Sequence, residues 1–200
     1  MKLIAGQPEN FSPEISDLIW SEDPEFLELE FQSFENWDAV CATEWPTTGS
    51  GNCHDATTLA IENGTVCGLI NAFSWDEVES RFEKTEALRG PSHLDDETIA
   101  QMDSLFVSPA QNSFFVLDIS VAPSTQNTGL GAKLIAHAET LARAKNHSSL
   151  CLDVRETNPA LGFYQYLGFT ISARSEAPEL AAHNIKAYLH MTRPITQKRR

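Results

Sequence analysis

The chain has 200 residues, 42% of them hydrophobic, which is enough for one domain with a proper core. It carries 14 basic and 28 acidic side chains, net −18 over residues 1–110 and +4 over 111–200; so acidic a field disfavours nucleic acid, whose phosphates need clustered Lys and Arg. Four cysteines at 41, 53, 67 and 151 form no C-x-x-C pair, and neither a signal-peptide core nor a long apolar run is present, so reduced thiols, no metal, no membrane and a soluble cytoplasmic protein are expected.

Ser12 caps a first helix that Pro13 opens, and apolar spacing predicts helix again over Glu25–Phe34. Phe26, Phe31, Phe34, Trp37 and Trp45 recur here, either as core or as the wall of a substrate pocket. After a loop at Pro46–Gly51, strands Thr57–Glu62 and Thr65–Phe73 flank Asn63-Gly64, a strong hairpin signal. Ser74-Trp75-Asp76-Glu77 has the form of a capping box that opens a helix to Leu88, stopped by Gly90-Pro91. A second acidic helix covers Asp95–Met102, and the whole stretch 75–105 reads as a solvated helical pair or as a lid.

From Phe114 the pattern changes. Strand Phe114–Val121 leads through a polar turn into a long helix, Gly129–Lys145, and then strand Leu150–Arg155. A short helix follows near Pro159–Tyr166, with Asn158 as its cap, and strands Phe169–Ser175 and Ile185–Thr192 come last. The basic end, Lys198-Arg199-Arg200, reads as a solvated terminus. A strand–helix–strand crossover implies a parallel pair. The fold class is therefore α/β (α+β): a mixed, mostly antiparallel sheet flanked by helices.

Gln126-Asn127-Thr128-Gly129-Leu130-Gly131-Ala132 lies between strand and long helix. A helix N-terminus leaves backbone N–H groups unpaired and carries partial positive charge, and glycines let an anion approach the backbone. The loop is neither a P-loop nor a dinucleotide fingerprint, because GxxxxGK[ST] and the three-glycine spacing are both absent. Leu117-Asp118-Ile119-Ser120-Val121-Ala122-Pro123 precedes it, and Asn158-Pro159-Ala160-Leu161-Gly162-Phe163-Tyr164-Gln165-Tyr166-Leu167-Gly168-Phe169 follows the next strand.

With these residues in place, the sequence resembles the GNAT superfamily of acetyl-CoA-dependent N-acetyltransferases over roughly residues 114–170. Gln126-x-x-Gly129-x-Gly131 is similar to that family's pyrophosphate loop, and Asn158…Ala160…Phe163-Tyr164…Gly168-Phe169 to its second signature. The resemblance implies a splayed parallel central strand pair, with Ile119, Ser120 and Val121 offering backbone groups to the pantetheine arm and to the thioester carbonyl. It implies that the amides from Gln126 through Asn127, Thr128, Gly129, Leu130 and Gly131 to Ala132 hold the pyrophosphate, and that Asn158 touches the cofactor. Tyr164 takes the place of the general acid for the CoA thiolate, also next to the cofactor, whereas Tyr166 reads as structural. Lys133 is either a further charge for the phosphates or a solvated lysine.

Acetyl transfer to an ammonium group needs a base. Asp118 is the favoured residue and Glu156 the other; His54 and His190 read as ordinary surface or core histidines. The resemblance implies an N-acetyltransferase that moves the acetyl group of acetyl-CoA to a primary amine by direct attack in a ternary complex. Acetyl-CoA is the cosubstrate and no metal is called for. A non-catalytic CoA-binding module, or transfer of another acyl group such as succinyl, are the alternatives. The chain reads as one domain over 1–200: residues 1–110 shape the acceptor side, 111–200 form the cofactor-binding core, and a homodimer is possible on its sheet edges. The acidic first half suits a cationic acceptor and suits plain solubility equally.

Overall fold

The computed structural model describes residues 1–109 and 111–195, so the basic run Lys198-Arg199-Arg200 lies outside the described residues. The strands are β1 (Lys2–Ala5), β2 (Thr57–Glu62), β3 (Thr65–Ser74), β4 (Ser113–Val121), β5 (Ser149–Arg155), β6 (Thr170–Glu176) and β7 (Ala187–Pro194). They form one sheet in the order β1-β2-β3-β4-β5-β7-β6. All neighbours are antiparallel except β4 and β5. The α/β class and the parallel pair expected from the crossover are both present. The hairpin turns at Asn63 (φ 52°) and Gly64 (φ 85°), the left-handed pair that lets two twisted strands close tightly.

The helices are α1 (Pro13–Trp20), α2 (Pro24–Phe31), α3 (Phe34–Glu44), α4 (Val78–Arg89), α5 (Asp96–Ser104), α6 (Leu130–Ala144) and α7 (Leu161–Tyr166). Helix α6 covers one face of the sheet. Its Leu130, Leu134, Ala138 and Ala142 recur every fourth residue and pack on Phe114, Val116, Leu150 and Leu152. Helices α1 and α3 cover the other face, burying Ile15, Ile19, Trp37, Cys41 and Trp45 against Leu59 and Leu69. The two tryptophans are core, and each indole N–H is satisfied, Trp37 by the Ser16 carbonyl at 3.1 Å and Trp45 by that of Gln7 at 2.9 Å.

Three expectations are corrected. The predicted helix Glu25–Phe34 is two helices, because Gln32 turns left-handed (φ 66°) and Ser33 caps α3 through the Asn36 N–H. Ser74 makes no side-chain cap; a 3-10 turn, Trp75–Glu77, precedes α4. The segment 75–105 is not a solvated pair. Thr85 and Leu105 are fully buried and Arg81 and Met102 nearly so, and α4 packs against α3. Strand β1, which pairs with β2 at the sheet edge, was not expected. No helix of the described residues is long and apolar enough to cross a membrane.

Candidate active site

The parallel pair is short. Strands β4 and β5 are paired only from Ser113↔Ser149 to Val116↔Leu152. At the next residue β4 bulges: Val116 faces Ala72 and Asp118 faces Asn71 across β3, leaving Leu117 as the extra residue. Beyond it β4 continues along β3 alone and a cleft opens toward β5. The Ala122 N–H donates to the Cys67 carbonyl on the β3 side at 2.9 Å. Strand alternation then turns the backbone groups of Ile119 and Val121 into the cleft and those of Ser120 toward β3.

The side chains alternate as well. Ile119 and Val121 pack with the α6 core, whereas Asp118 and Ser120 face α1 and α3. The Ser120 hydroxyl lies 3.1 Å from that of Ser21, just past α1. Asp118 is buried, and among the described residues its carboxyl accepts one hydrogen bond, from Asn71 Nδ2 at 3.4 Å. Asn71 also donates to the Gly51 carbonyl at 2.8 Å and to Asn52 Oδ1 at 3.1 Å. With two hydrogens for three acceptors, Asn71 solvates Asp118 weakly. Burial, then the charge of Glu44, push the Asp118 carboxyl up to about 7 against the opposing pull of Asn71.

Two residues not read from the sequence as site residues face Asp118 or lie close by. Half-buried Glu22 is raised well above the usual carboxylate range by burial and by Asp118 and Asp23, with Arg155 opposing. Arg155, at the tip of β5, pairs with Asp23 at 2.8 Å and with Glu25 at 2.5 Å, fixing the start of α2 beside the cleft. Asp23 also accepts from the Tyr188 hydroxyl and from the Phe26 N–H, the latter as the cap of α2.

Tyr164 is buried between Phe163 and Phe169. Burial and the charges of Glu22 and Asp118 raise its phenol, which therefore stays protonated. Tyr166 is 87% exposed, as its place two residues along the helix predicts. Glu156 is held below the usual range by the Arg174 guanidinium, 2.9 Å away on the exposed surface. His54 lies 2.8 Å from the Trp45 carbonyl, and His190 bridges Asp153 at 2.6 Å and Ser175 at 2.9 Å. Asn158 accepts from the Ala160 N–H at 2.8 Å; α7 itself begins at Leu161.

The loop before α6 carries a row of donors. The Gln126 N–H is used within the turn, on the Ala122 carbonyl, and its side chain donates to the Val121 carbonyl at 3.3 Å. Among the described residues, the six amides from Asn127 to Ala132 have no acceptor. Asn127 (φ 61°) and Gly129 (φ 83°) are left-handed, and a β-carbon on Gly129 would meet nothing within 4 Å. Gly131 has a different reason: its β-carbon would lie 3.0 Å from the Phe163 ring, so the glycine seats α6 on α7. Lys133 is exposed. This row of amides at the positive end of a 15-residue helix fits a pyrophosphate.

The parting strands, the donor loop beyond them and the buried Asp118 carboxyl all lie along β4 and the turn that follows it. The sequence matches the model of the acetyltransferase (GNAT) family over residues 13–169, and the chain belongs to that family of acyltransferases. No curated protein matches the sequence. A crystal structure of an acetyltransferase is 17% identical with a TM-score of 0.73, covering 98% of this chain and 100% of the other. An N-acetyltransferase from Staphylococcus aureus Mu50 is 18% identical with a TM-score of 0.67, covering 96% and 100%. Ard1 from Thermoplasma volcanium is 17% identical with a TM-score of 0.55, covering 98% of each chain. At such identities the likeness is one of fold.

Proposed function

We propose that the chain moves the acetyl group of acetyl-CoA to a primary amine by direct attack in a ternary complex. The observation that carries this reading is the unpaired edge of β4, which leaves β5 at the Leu117 bulge and runs straight toward the unpartnered amides of Asn127–Ala132. On this reading those amides hold the pyrophosphate, and the backbone groups of Ile119 and Val121 hold the pantetheine and polarise the thioester carbonyl. Asp118 takes the proton of the ammonium, a task suited to a carboxyl near pH 7. The neutral amine forms the new C–N bond, the C–S bond breaks, and the Tyr164 hydroxyl gives its proton to the departing thiolate. The surplus proton of the attacking nitrogen, lost as the amide forms, replaces it on the phenol.

Acetyl is favoured over a succinyl-type group because Arg155, the basic side chain that the described residues bring to the end of β5, is already engaged by Asp23 and Glu25. The test is thermal unfolding of wild type and Gly129→Glu with acetyl-CoA, CoA, ATP and NADH. A ligand at about 100-fold its Kd adds roughly 2.7 kcal/mol, so acetyl-CoA and CoA should raise the wild-type melting temperature clearly. The glutamate, placed on the donor loop, should abolish the effect. No shift with saturating acetyl-CoA overturns the reading. Binding without thiol release across a panel of amines leaves a CoA-binding module in its place.

A further inference from the structure

A buried polar chain links the inserted helix α4 to Asp118. The Thr85 hydroxyl accepts from the Gly51 N–H at 2.9 Å and donates to Glu44 Oε1. The same Glu44 oxygen accepts from the Asn52 N–H at 3.0 Å. Arg81 of α4 adds a bond to the neighbouring Ser50 carbonyl at 2.9 Å. The loop so gripped presents the Gly51 carbonyl and Asn52 Oδ1 to Asn71, the residue opposite Asp118 across the sheet. Glu44 and Thr85 are fully buried and Asn71 is 1% exposed.

A carboxylate this deep is costly unless hydrogen bonds satisfy it, and those of Glu44 come from Thr85 and Asn52 on Oε1. Two acceptors of the chain, Glu44 Oε2 and Asn71 Oδ1, have no donor among the described residues. Acceptors therefore outnumber donors in this chain of groups, so little hydrogen-bonding capacity is left over for the Asp118 carboxyl. The ionisable groups that act on or sense Asp118 come from two elements and one connection: Cys41 and Glu44 of α3, Tyr164 of α7, and Glu22 between α1 and α2.

We propose that Glu44, held by Thr85 of the inserted helix, is a positioning residue for Asp118: it fixes the Gly51–Asn52 loop against Asn71 and keeps a negative charge behind the group that receives the acceptor's proton. The inference rests on Asp118 being the base. It gives segment 75–105 a task, since α4 buttresses the proton-accepting side of the cleft from behind. Glu44 touches no reacting atom and acts through Asn52, Asn71 and its charge.

The test is a pH titration of the full chain labelled with carboxyl-13C aspartate, read by NMR, with the Asp118 signal assigned by its loss in Asp118→Asn. Glu44→Gln keeps the accepting oxygen and removes the charge, so the Asp118 midpoint should fall by more than about half a pH unit. Thr85→Val keeps the charge and frees the loop, letting water reach Asp118, and should move the midpoint the same way; Thr85→Ser should restore it. An unchanged midpoint in either folded variant overturns the inference. Failure of the base reading itself looks different: Asp118→Asn would then release thiol from acetyl-CoA and an amine at the wild-type rate, whatever the titration shows.

Discussion

The two faces of the sheet are built from different materials. On the α6 face the key contacts are local or backbone-made. Thr128 bonds a carbonyl three residues back and Gln126 one five back, and the donors of the loop are peptide groups. On the α1–α4 face the important groups are charged or polar side chains brought together from far apart. Thr85 and Glu44 are 41 residues apart, Arg155 and Glu25 130, and Tyr188 and Asp23 165. A backbone-made site leaves its mark as glycines, caps and turn residues at fixed spacing. A side-chain-made site leaves only scattered acids, which in the sequence are indistinguishable from a solvated surface.

The largest effect should come from breaking the side-chain-made half at its centre. Asp118→Asn preserves shape but removes the proposed base, and the rate of thiol release with an amine acceptor should fall by about 100- to 10,000-fold. In wild type, kcat/KM should rise with pH through about 7 as the buried carboxyl ionises. Stability runs the other way. The folded state raises this carboxyl, so its contribution is full below the ordinary aspartate range and is lost as pH rises toward 7. Asp118→Asn should therefore melt above wild type at pH 8 and close to it at pH 4. A variant both inactive and less stable at pH 8 would make Asp118 a structural residue.

How far each face could be read follows from the same contrast. The Asn63-Gly64 hairpin, the α6 crossover and the donor loop were legible because each depends on residues adjacent in sequence. Strand β1 was not, since Lys2–Ala5 is four residues long and is defined by its partner β2 rather than by its own pattern. The break at Gln32 was hidden because apolar residues continue through Phe34 at helical spacing, with Ser33 between them the only local sign. Asp118 was legible as a residue on the key strand, but its direction was not: the Leu117 bulge shifts the alternation, and no residue type announces a bulge. Glu22, Glu44 and Arg155 carried no signal at all. Their roles depend on burial beside partners that the chain reaches only after folding.

An intermediate effect sharpens the backbone-made half. Gly131 and Gly129 look alike in sequence, yet their reasons differ. Gly131→Ala pushes a methyl group against the Phe163 ring, 3.0 Å from the ideal β-carbon position, and should cost about 1–3 kcal/mol in chemical denaturation. Phe163→Leu should recover much of that loss in the double variant, because the two residues share one contact. Additive losses would show that the glycine serves the loop backbone and not the seating of α6 on α7.

The smallest effect is expected where the two candidate bases are compared directly. Asp118 and Glu156 lie at the open ends of the two strands that part company, and the sequence favours Asp118 only by its place on the strand that leads to the donor loop. Their surroundings differ: burial and Glu44 raise Asp118, whereas the exposed Arg174 lowers Glu156, and the proposed function rests on that difference. Exposed ion pairs contribute little, so Glu156→Gln should leave the melting temperature, the maximal rate and the position of the acid limb near pH 7 unchanged. Loss of that limb in Glu156→Gln, with its survival in a weakly active Asp118→Asn, would reverse the assignment. The proton would then leave across the β5 side of the cleft, and the buried chain from Thr85 to Asp118 would serve only to hold α4 to the sheet.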